Sequence, residues 1–251
     1  MKRKIYIRIK GGLGNQLFQF AFALHLQKRG FEVDGLWVDH SKDNYGHSFL
    51  LDTVLTTSPH VATELAAGTV LVQSESDEAI AEYLHRHPDT SVLLEGYFQN
   101  IHYLQDSGLE HHLQSPLRRY PIAAVHVRRG EYGHHGILPF SYYTQALSML
   151  GSPEFMVYSD EPNYAEYMFA KIAGYRGTVR PNLDQPSNEF LQLTTHSSLV
   201  MANSSFSWLA AFLAFKRTGA TILYPSEWTL MSIAPGHDPT WRSVNTQLIR
   251  P

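Results

Sequence analysis

The period of the apolar residues constrains this chain more than any other feature. IYIRI (Ile5 to Ile9) alternates and is β-branched, as a strand is, whereas Leu17, Phe18, Phe20, Ala21 and Leu24 recur at helical spacing. KGGLGNQ stands between them, so its three glycines mark a strand-to-helix turn. The switch repeats. After a helix from Leu17 to Lys28, the pattern predicts a strand in FEVDGLWVD (Phe31 to Asp39) and an Ala-rich helix around Val61 to Ala67. A short strand TVLVQ, a helix from Glu78 to His87 and a buried strand SVLLEGYFQ (Ser91 to Gln99) follow. LQSPLRRYP (Leu113 to Pro121) has two prolines, two arginines and no apolar period, and reads as a linker. Beyond it, strands are predicted at Ile122 to Val127 and in EFMVYSD, SSLVMA and ATILYPSEW. Helices are predicted from Phe140 to Leu150, Tyr164 to Ala173, Asn188 to Leu193, and from the NSS stretch to Phe215. Strands that alternate with helices in both halves imply α/β architecture with parallel sheets, and domains at 1–118 and 119–251.

Composition excludes several classes of function. A formal net charge of −3 provides no basic field for nucleic acid. The absence of cysteine excludes disulfides and thiolate zinc sites and fits a reducing compartment. No D-x-D pair or H-E-x-x-H motif occurs, and the double histidines His111-His112 and His134-His135 lack a third ligand at suitable spacing, so no metal is expected. No signal peptide is evident, and no apolar run reaches about 18 residues; FSWLAAFLAF (Phe206 to Phe215) suits a buried helix. These features place the chain in the cytoplasm, with room for peripheral contact at the inner face of the membrane.

Three strand-to-helix junctions in the second half carry polar residues. AVHVRRGEY ends a buried strand in His126, Arg128, Arg129 and Glu131; VYSDE ends one in Ser159 and Asp160; ANSSFSW places Asn203, Ser204 and Ser205 at a helix start. Parallel strands would bring these ends to one sheet edge, where α/β folds bind ligands. Arginine forks and helix amides there suit a nucleotide diphosphate. Each junction alone is equally met by an Arg–Glu ion pair, a turn, or N-capping. In the first half, Gly12 and Gly14 allow close backbone approach to a ligand and Asn15 and Gln16 add side-chain donors. A plain tight turn with Asn15 as N-cap explains the same residues.

Taken together, GGLGNQLFQFA (Gly11 to Ala21), LLEGYFQN (Leu93 to Asn100), VHVRRGEY (Val125 to Tyr132), FMVYSDE (Phe155 to Glu161), NEFLQLTTHSSLVMANSSFSWLAAFL (Asn188 to Leu213) and YPSEW (Tyr224 to Trp228) resemble the α-1,2-fucosyltransferases of glycosyltransferase family 11. The resemblance implies a GT-B-like fold, two Rossmann-like domains facing a cleft, with GDP-fucose held by the C-terminal one. It implies transfer of L-fucose from GDP-β-L-fucose to the 2-hydroxyl of a terminal galactose, with inversion and without a metal. The superfamily's H-x-R-R-x-D motif falls on His126, Arg128, Arg129 and position 131, which here is glutamate. On this reading Arg128 stabilises the leaving diphosphate, Asn15 assists from across the cleft, and Glu131 is a candidate base. His126, Arg129, Ser159, Asp160, Asn203, Ser204, Ser205, Phe206, Gly12, Gly14 and Gln16 line the donor site. The partners implied are GDP-fucose and a β-galactoside-terminated glycan, with no cofactor and no nucleic acid. The rival expectations are a different sugar-nucleotide transferase, or a noncatalytic glycan-binding protein with Tyr97, Phe98 and Trp228 as sugar platforms.

Overall fold

A computed structural model of the chain describes residues 2–38, 48–114, 119–130, 136–151, 153–179, 186–228 and 236–249. Two compact units result, Met1–Leu113 and Gln114–Pro251.

In the first unit, β1 (Ile5–Ile9) is the central strand. Its apolar side chains are buried, and it pairs in parallel with β2 (Gly35–Val38) on one side and β4 (Val92–Glu95) on the other. β3 (Val70–Gln73) completes the order β2-β1-β4-β3. Helix α1 runs over Leu13–Lys28, one turn earlier than the apolar spacing predicts, because the LGNQ stretch is already helical. Gly12, not Asn15, is its N-cap, and no side chain caps it. α1 buries Leu17, Phe18, Ala21 and Phe22 against the sheet and α3 (Ile101–Ser107), a short helix the sequence pattern misses. α2 (Asp77–Arg86) is capped by Ser76, whose hydroxyl accepts from the Ala79 amide. Phe98 takes a left-handed φ of 52° and still stacks on Phe22 at 3.9 Å. Glu75 holds it there by accepting from the Tyr97 and Phe98 amides. The predicted helix at Val61 to Ala67 does not form. Val61 instead bridges Leu36, with Leu36 donating to His60 and Ala62 to Leu36, so the backbone groups a helix would use are taken by the sheet.

The second unit is built on six parallel strands in the order β10-β9-β8-β5-β6-β7. They are β5 (Tyr120–Val127), β6 (Phe155–Ser159), β7 (Tyr175–Val179), β8 (His196–Val200), β9 (Thr221–Pro225) and β10 (Arg242–Val244). Tyr120 and Pro121, expected in the linker, open β5. Counted from β5, the order reads 3-2-1-4-5-6, the doubly wound arrangement of dinucleotide-binding domains, with its topological switch between β5 and β8. α4 (Phe140–Met149), α5 (Pro162–Phe169), α6 (Pro186–Leu193) and α7 (Ser205–Thr218) connect the strands. Val125, Val127, Phe155, Val157, Val200 and Leu223 form the sheet's share of a core that α4 and α5 cover with Tyr142, Leu147, Ala165 and Phe169. α7 is buried from Ser207 to Ala214, which accounts for its almost uninterrupted apolar sequence. The Tyr142 hydroxyl donates to the Met201 carbonyl at 2.7 Å and pins α4 to the end of β8. Among the described residues, no helix is long and apolar enough to cross a membrane.

Candidate functional site

At the switch point, β5 delivers Arg128, Arg129 and Gly130, the neighbouring β6 delivers Ser159 and Asp160, and β8 delivers Asn203 and Ser204. Asp160 organises this edge. One of its oxygens accepts from the Arg129 amide at 2.9 Å and the other from the Gly130 amide at 2.9 Å, and Arg128 Nη1 lies 2.8 Å from the second. A side chain at position 130 would collide with this clamp, since a Cβ there would lie 2.7 Å from Asp160 Oδ2. The Asp160 carboxylate is thus occupied within the protein, and its geometry is that of a residue positioning the β5 loop. The Arg128 side chain is 39% exposed. Arg129 turns elsewhere, with its guanidinium 3.9 Å from the centre of the Tyr164 ring.

The Ser159 and Ser204 hydroxyls expected here have internal donors as well. Ser159 Oγ accepts from the Glu161 amide, and Ser204 Oγ accepts from the Ser207 amide as the N-cap of α7. Ser205 and Phe206 open α7, and by helix geometry their amides have no intrahelical acceptor. Asn203 is fully buried: its Nδ2 donates to the Gly136 carbonyl at 2.9 Å, and its Oδ1 has no hydrogen-bond partner among the described residues. His126 sits beneath the edge rather than on it. It is 4% exposed, packs 5.4 Å from Phe206, and its Nδ1 likewise lacks a partner among the described residues. Burial, with the adjacent Arg128 charge, pushes its pKa down to about 3, so the ring is neutral at physiological pH. Glu131, the expected base, lies outside the described residues, as do His134 and His135.

The apolar pattern misses Glu189 on α6. It is 8% exposed, and burial together with the Asp160 charge pushes its pKa up to about 7, against the opposing pull of Arg128. Glu189 therefore belongs to the same electrostatic cluster as Arg128 and Asp160. In the sequence it passes for an ordinary acidic residue in a helix first turn. The available signal is its i, i+4 step to Leu193, which places both on the face that α6 buries.

In the first unit, the Gly11 to Gln16 turn is held by its own amides. Gln16 is fully buried; its Nε2 donates to the Gly11 and Ser48 carbonyls and its Oε1 accepts from the Leu50 amide, all at 2.8 Å. Gln16 therefore shapes the turn and has no free group to offer a ligand. Asn15 accepts from Gln99 at 2.8 Å, and its Nδ2 crowds Gly11, where a Cβ would lie 2.7 Å away. Gly11 also has φ +77°, so glycine is required there on both counts. Gly12 and Gly14 start α1, with Gly14 buried. At the adjacent ends of β1 and β4, Glu95 takes Arg8 at 2.5 Å and Lys10 at 2.9 Å. Although burial opposes it, these hydrogen bonds hold the Glu95 pKa below the usual carboxylate range. Among the described residues no group of three or more His, Asp or Glu could hold a metal ion.

No protein-family model matches the chain. It is similar to the O-antigen biosynthesis glycosyltransferase WbnK of Escherichia coli, with 24% identity over 83% of this chain and 90% of that protein. Among solved structures it resembles the E. coli heptosyltransferase WaaC with ADP (TM-score 0.57, 10% identity, 96% of this chain and 93% of that one). It also resembles a mutant of Arabidopsis thaliana FUT1 in complex with GDP (TM-score 0.54, 13% identity, 94% of this chain and 75% of that one). The fold is thus that of the GT-B glycosyltransferases, two α/β units each built on a parallel sheet.

Proposed function

We propose that the chain is an inverting glycosyltransferase that moves L-fucose from GDP-β-L-fucose to the 2-hydroxyl of a terminal galactose. The observation that carries the reading is the edge of the second sheet: a half-buried Arg128, held by Asp160 at the end of β5, next to the strand that leads into the α7 N-terminus. The motifs of the sequence supply the choice of donor sugar. Similarity to an O-antigen glycosyltransferase and to a GDP-bound FUT1 structure agrees with a sugar-nucleotide donor and a glycan acceptor.

The chemistry follows from charge. As fucose departs with oxocarbenium character, negative charge grows on the β-phosphate. A guanidinium and the Ser205 and Phe206 amides, already oriented, stabilise that charge more than the ground state. One displacement, with the acceptor hydroxyl attacking opposite the diphosphate, gives an α-linkage from the β-donor. The hydroxyl proton passes to Glu131 or to a phosphate oxygen. Glu189, near Arg128 and able to hold or release a proton near neutrality, suits an acceptor for hydroxyl or N–H groups of the nucleotide.

The test is NMR of the product formed from GDP-fucose and a panel of β-galactosides. An α-1,2-fucoside is expected; a β-linkage, attachment at another hydroxyl, or transfer from a different nucleotide sugar alone overturns the reading. The resemblance to the ADP-bound heptosyltransferase favours one rival, an ADP-sugar donor. Competition between GDP and ADP for the purified protein separates the two.

A further inference from the structure

Asp160 does not grip the chain leaving β5 alone. Tyr164, in the first turn of α5, lies against the Arg129 guanidinium, whose Cζ is 3.9 Å from the ring centre. The Arg129 amide meanwhile donates to Asp160 at 2.9 Å. Arg129 is therefore tied to the β6–α5 junction twice, once by its backbone and once by its side chain. The Gly130 amide and Arg128 Nη1 share the other Asp160 oxygen, at 2.9 and 2.8 Å. One carboxylate thus serves three donors on one short stretch of backbone, so a small shift of that backbone disturbs all three bonds together. A single contact fixes a distance, whereas two separated contacts fix an orientation. The Tyr164 stack supplies the second contact.

The junction holds Tyr164 in place. Ser159 Oγ accepts from the Glu161 amide, Pro162 presets the helical φ at the start of α5, and the Ala165 amide donates to the Glu161 carbonyl. Ala165 and Phe169 are fully buried, and Phe169 meets Phe140, Tyr143 and Phe155 edge to face at 5.1, 5.7 and 6.1 Å. Tyr164 itself is half-buried, where a cation–π contact is worth more than at an open surface. Tyr167, one turn further along α5, gives the contrast: it is 72% exposed and lies 5.7 Å from the Lys171 ammonium. We infer that Tyr164 is a positioning residue: by holding Arg129 it fixes the backbone that aims Arg128 at the donor diphosphate. What Arg128 is aimed at rests on the transferase reading, whereas the tether itself does not.

The experiment combines steady-state kinetics with GDP-fucose and a β-galactoside, melting temperatures, and amide hydrogen exchange read by NMR. Tyr164→Leu is expected to lower kcat about two- to thirtyfold, the span of one cation–π contact. KM for GDP-fucose should change little, because Arg128 acts on charge that develops in the transition state. Tyr164→Phe keeps the ring face and should retain most of the turnover. On an Arg128→Ala background, Tyr164→Leu should cost nothing further, since its effect passes through Arg128. Tyr167→Leu, which removes the exposed ring from the same helix, should leave the kinetics unchanged. In Tyr164→Leu the Arg129 and Gly130 amides should exchange faster by a similar factor, and in Tyr164→Phe they should stay protected. Unchanged kcat in a folded Tyr164→Leu protein overturns the inference. So does an equal loss in Tyr164→Phe, an additive loss on the Arg128→Ala background, or unaltered exchange of both amides. A wild-type protein that transfers no fucose would sink the transferase reading, and the exchange rates would still decide whether Tyr164 sets the clamp.

Discussion

Arg128→Ala separates the work of the arginine edge from its folding. The Arg128–Asp160 pair is 2.8 Å long, but the Arg128 side chain is 39% exposed, so solvent screening holds its worth to about 0–1 kcal/mol. Asp160 retains the Arg129 and Gly130 amides when the guanidinium is gone, so its carboxylate is not left unmatched. The melting temperature should therefore fall by no more than about 2–4 °C. Turnover should fall far more. A preorganised charge on a developing phosphate dianion is typically worth about 3 kcal/mol, a loss of at least about a hundredfold in kcat. Arg128→Lys should recover little, because an ammonium lacks the planar fork. A second signature comes from the neighbours. Arg128 holds down the pKa of both His126 and Glu189, so its removal should move both titrations upward, readable by NMR. The assay set is calorimetry, steady-state kinetics with GDP-fucose and a β-galactoside, and the two titrations. Near-normal turnover in a folded Arg128→Ala protein, or titrations that do not move, would refute the reasoning.

The pH dependence of stability should carry two opposed contributions. His126, at about 3 when folded against 6.5 ordinarily, makes stability rise with pH between those values, whereas Glu189, at about 7 against 4.5, makes it fall between its own. Each slope is about 1.4 kcal/mol per pH unit, so Glu189 offsets His126 from about pH 4.5 to 6.5; Glu189→Gln should make the rise of stability with pH steeper there, and denaturant titrations at stepped pH that show no difference between the two proteins would contradict this. Gln16→Leu removes three hydrogen bonds made by a fully buried side chain, so a loss of about 2–4 kcal/mol is expected in urea unfolding. Transferase activity should survive excess EDTA; complete loss restored by Mg²⁺ or Mn²⁺ would reveal a carboxylate site absent from the proposal.

Much of the fold can be read in the sequence because burial and period coincide. IYIRI, AAVHV and FMVYS are inner strands of their sheets, and most of their side chains are buried, so their apolar character is evident. β7 escapes notice because YRGTV is an edge strand with no fully buried side chain, and Gly177 lies at φ 131°. β10 is only three residues long, with one buried side chain. Alanine content predicts a helix at Val61 to Ala67, but bonding to β2 overrides propensity. At the site, residue type indicates which strand ends matter without fixing what each side chain does. Asp160, Ser159, Ser204 and Gln16 are the polar side chains one would assign to a ligand, and the structure gives each an internal partner. Glu189 gains its significance from burial, which a single sequence does not display.

The 3-2-1-4-5-6 order has a kinetic consequence. Val125 pairs with Val157 of β6, 32 residues on, but also with Val200 of β8, 75 residues on. Loop-closure entropy and contact order make the β5–β8 seam the slower pairing to nucleate. A chain that has zipped only β5, β6 and β7 already possesses Arg128 clamped by Asp160, but it has not yet brought α7 alongside. A diphosphate gripping both would bind only molecules in which that seam is closed, and would shift the folding equilibrium toward them by mass action. A nucleotide diphosphate in a refolding buffer would thereby act as a chaperone-like ligand whose effect is confined to the last step of assembly.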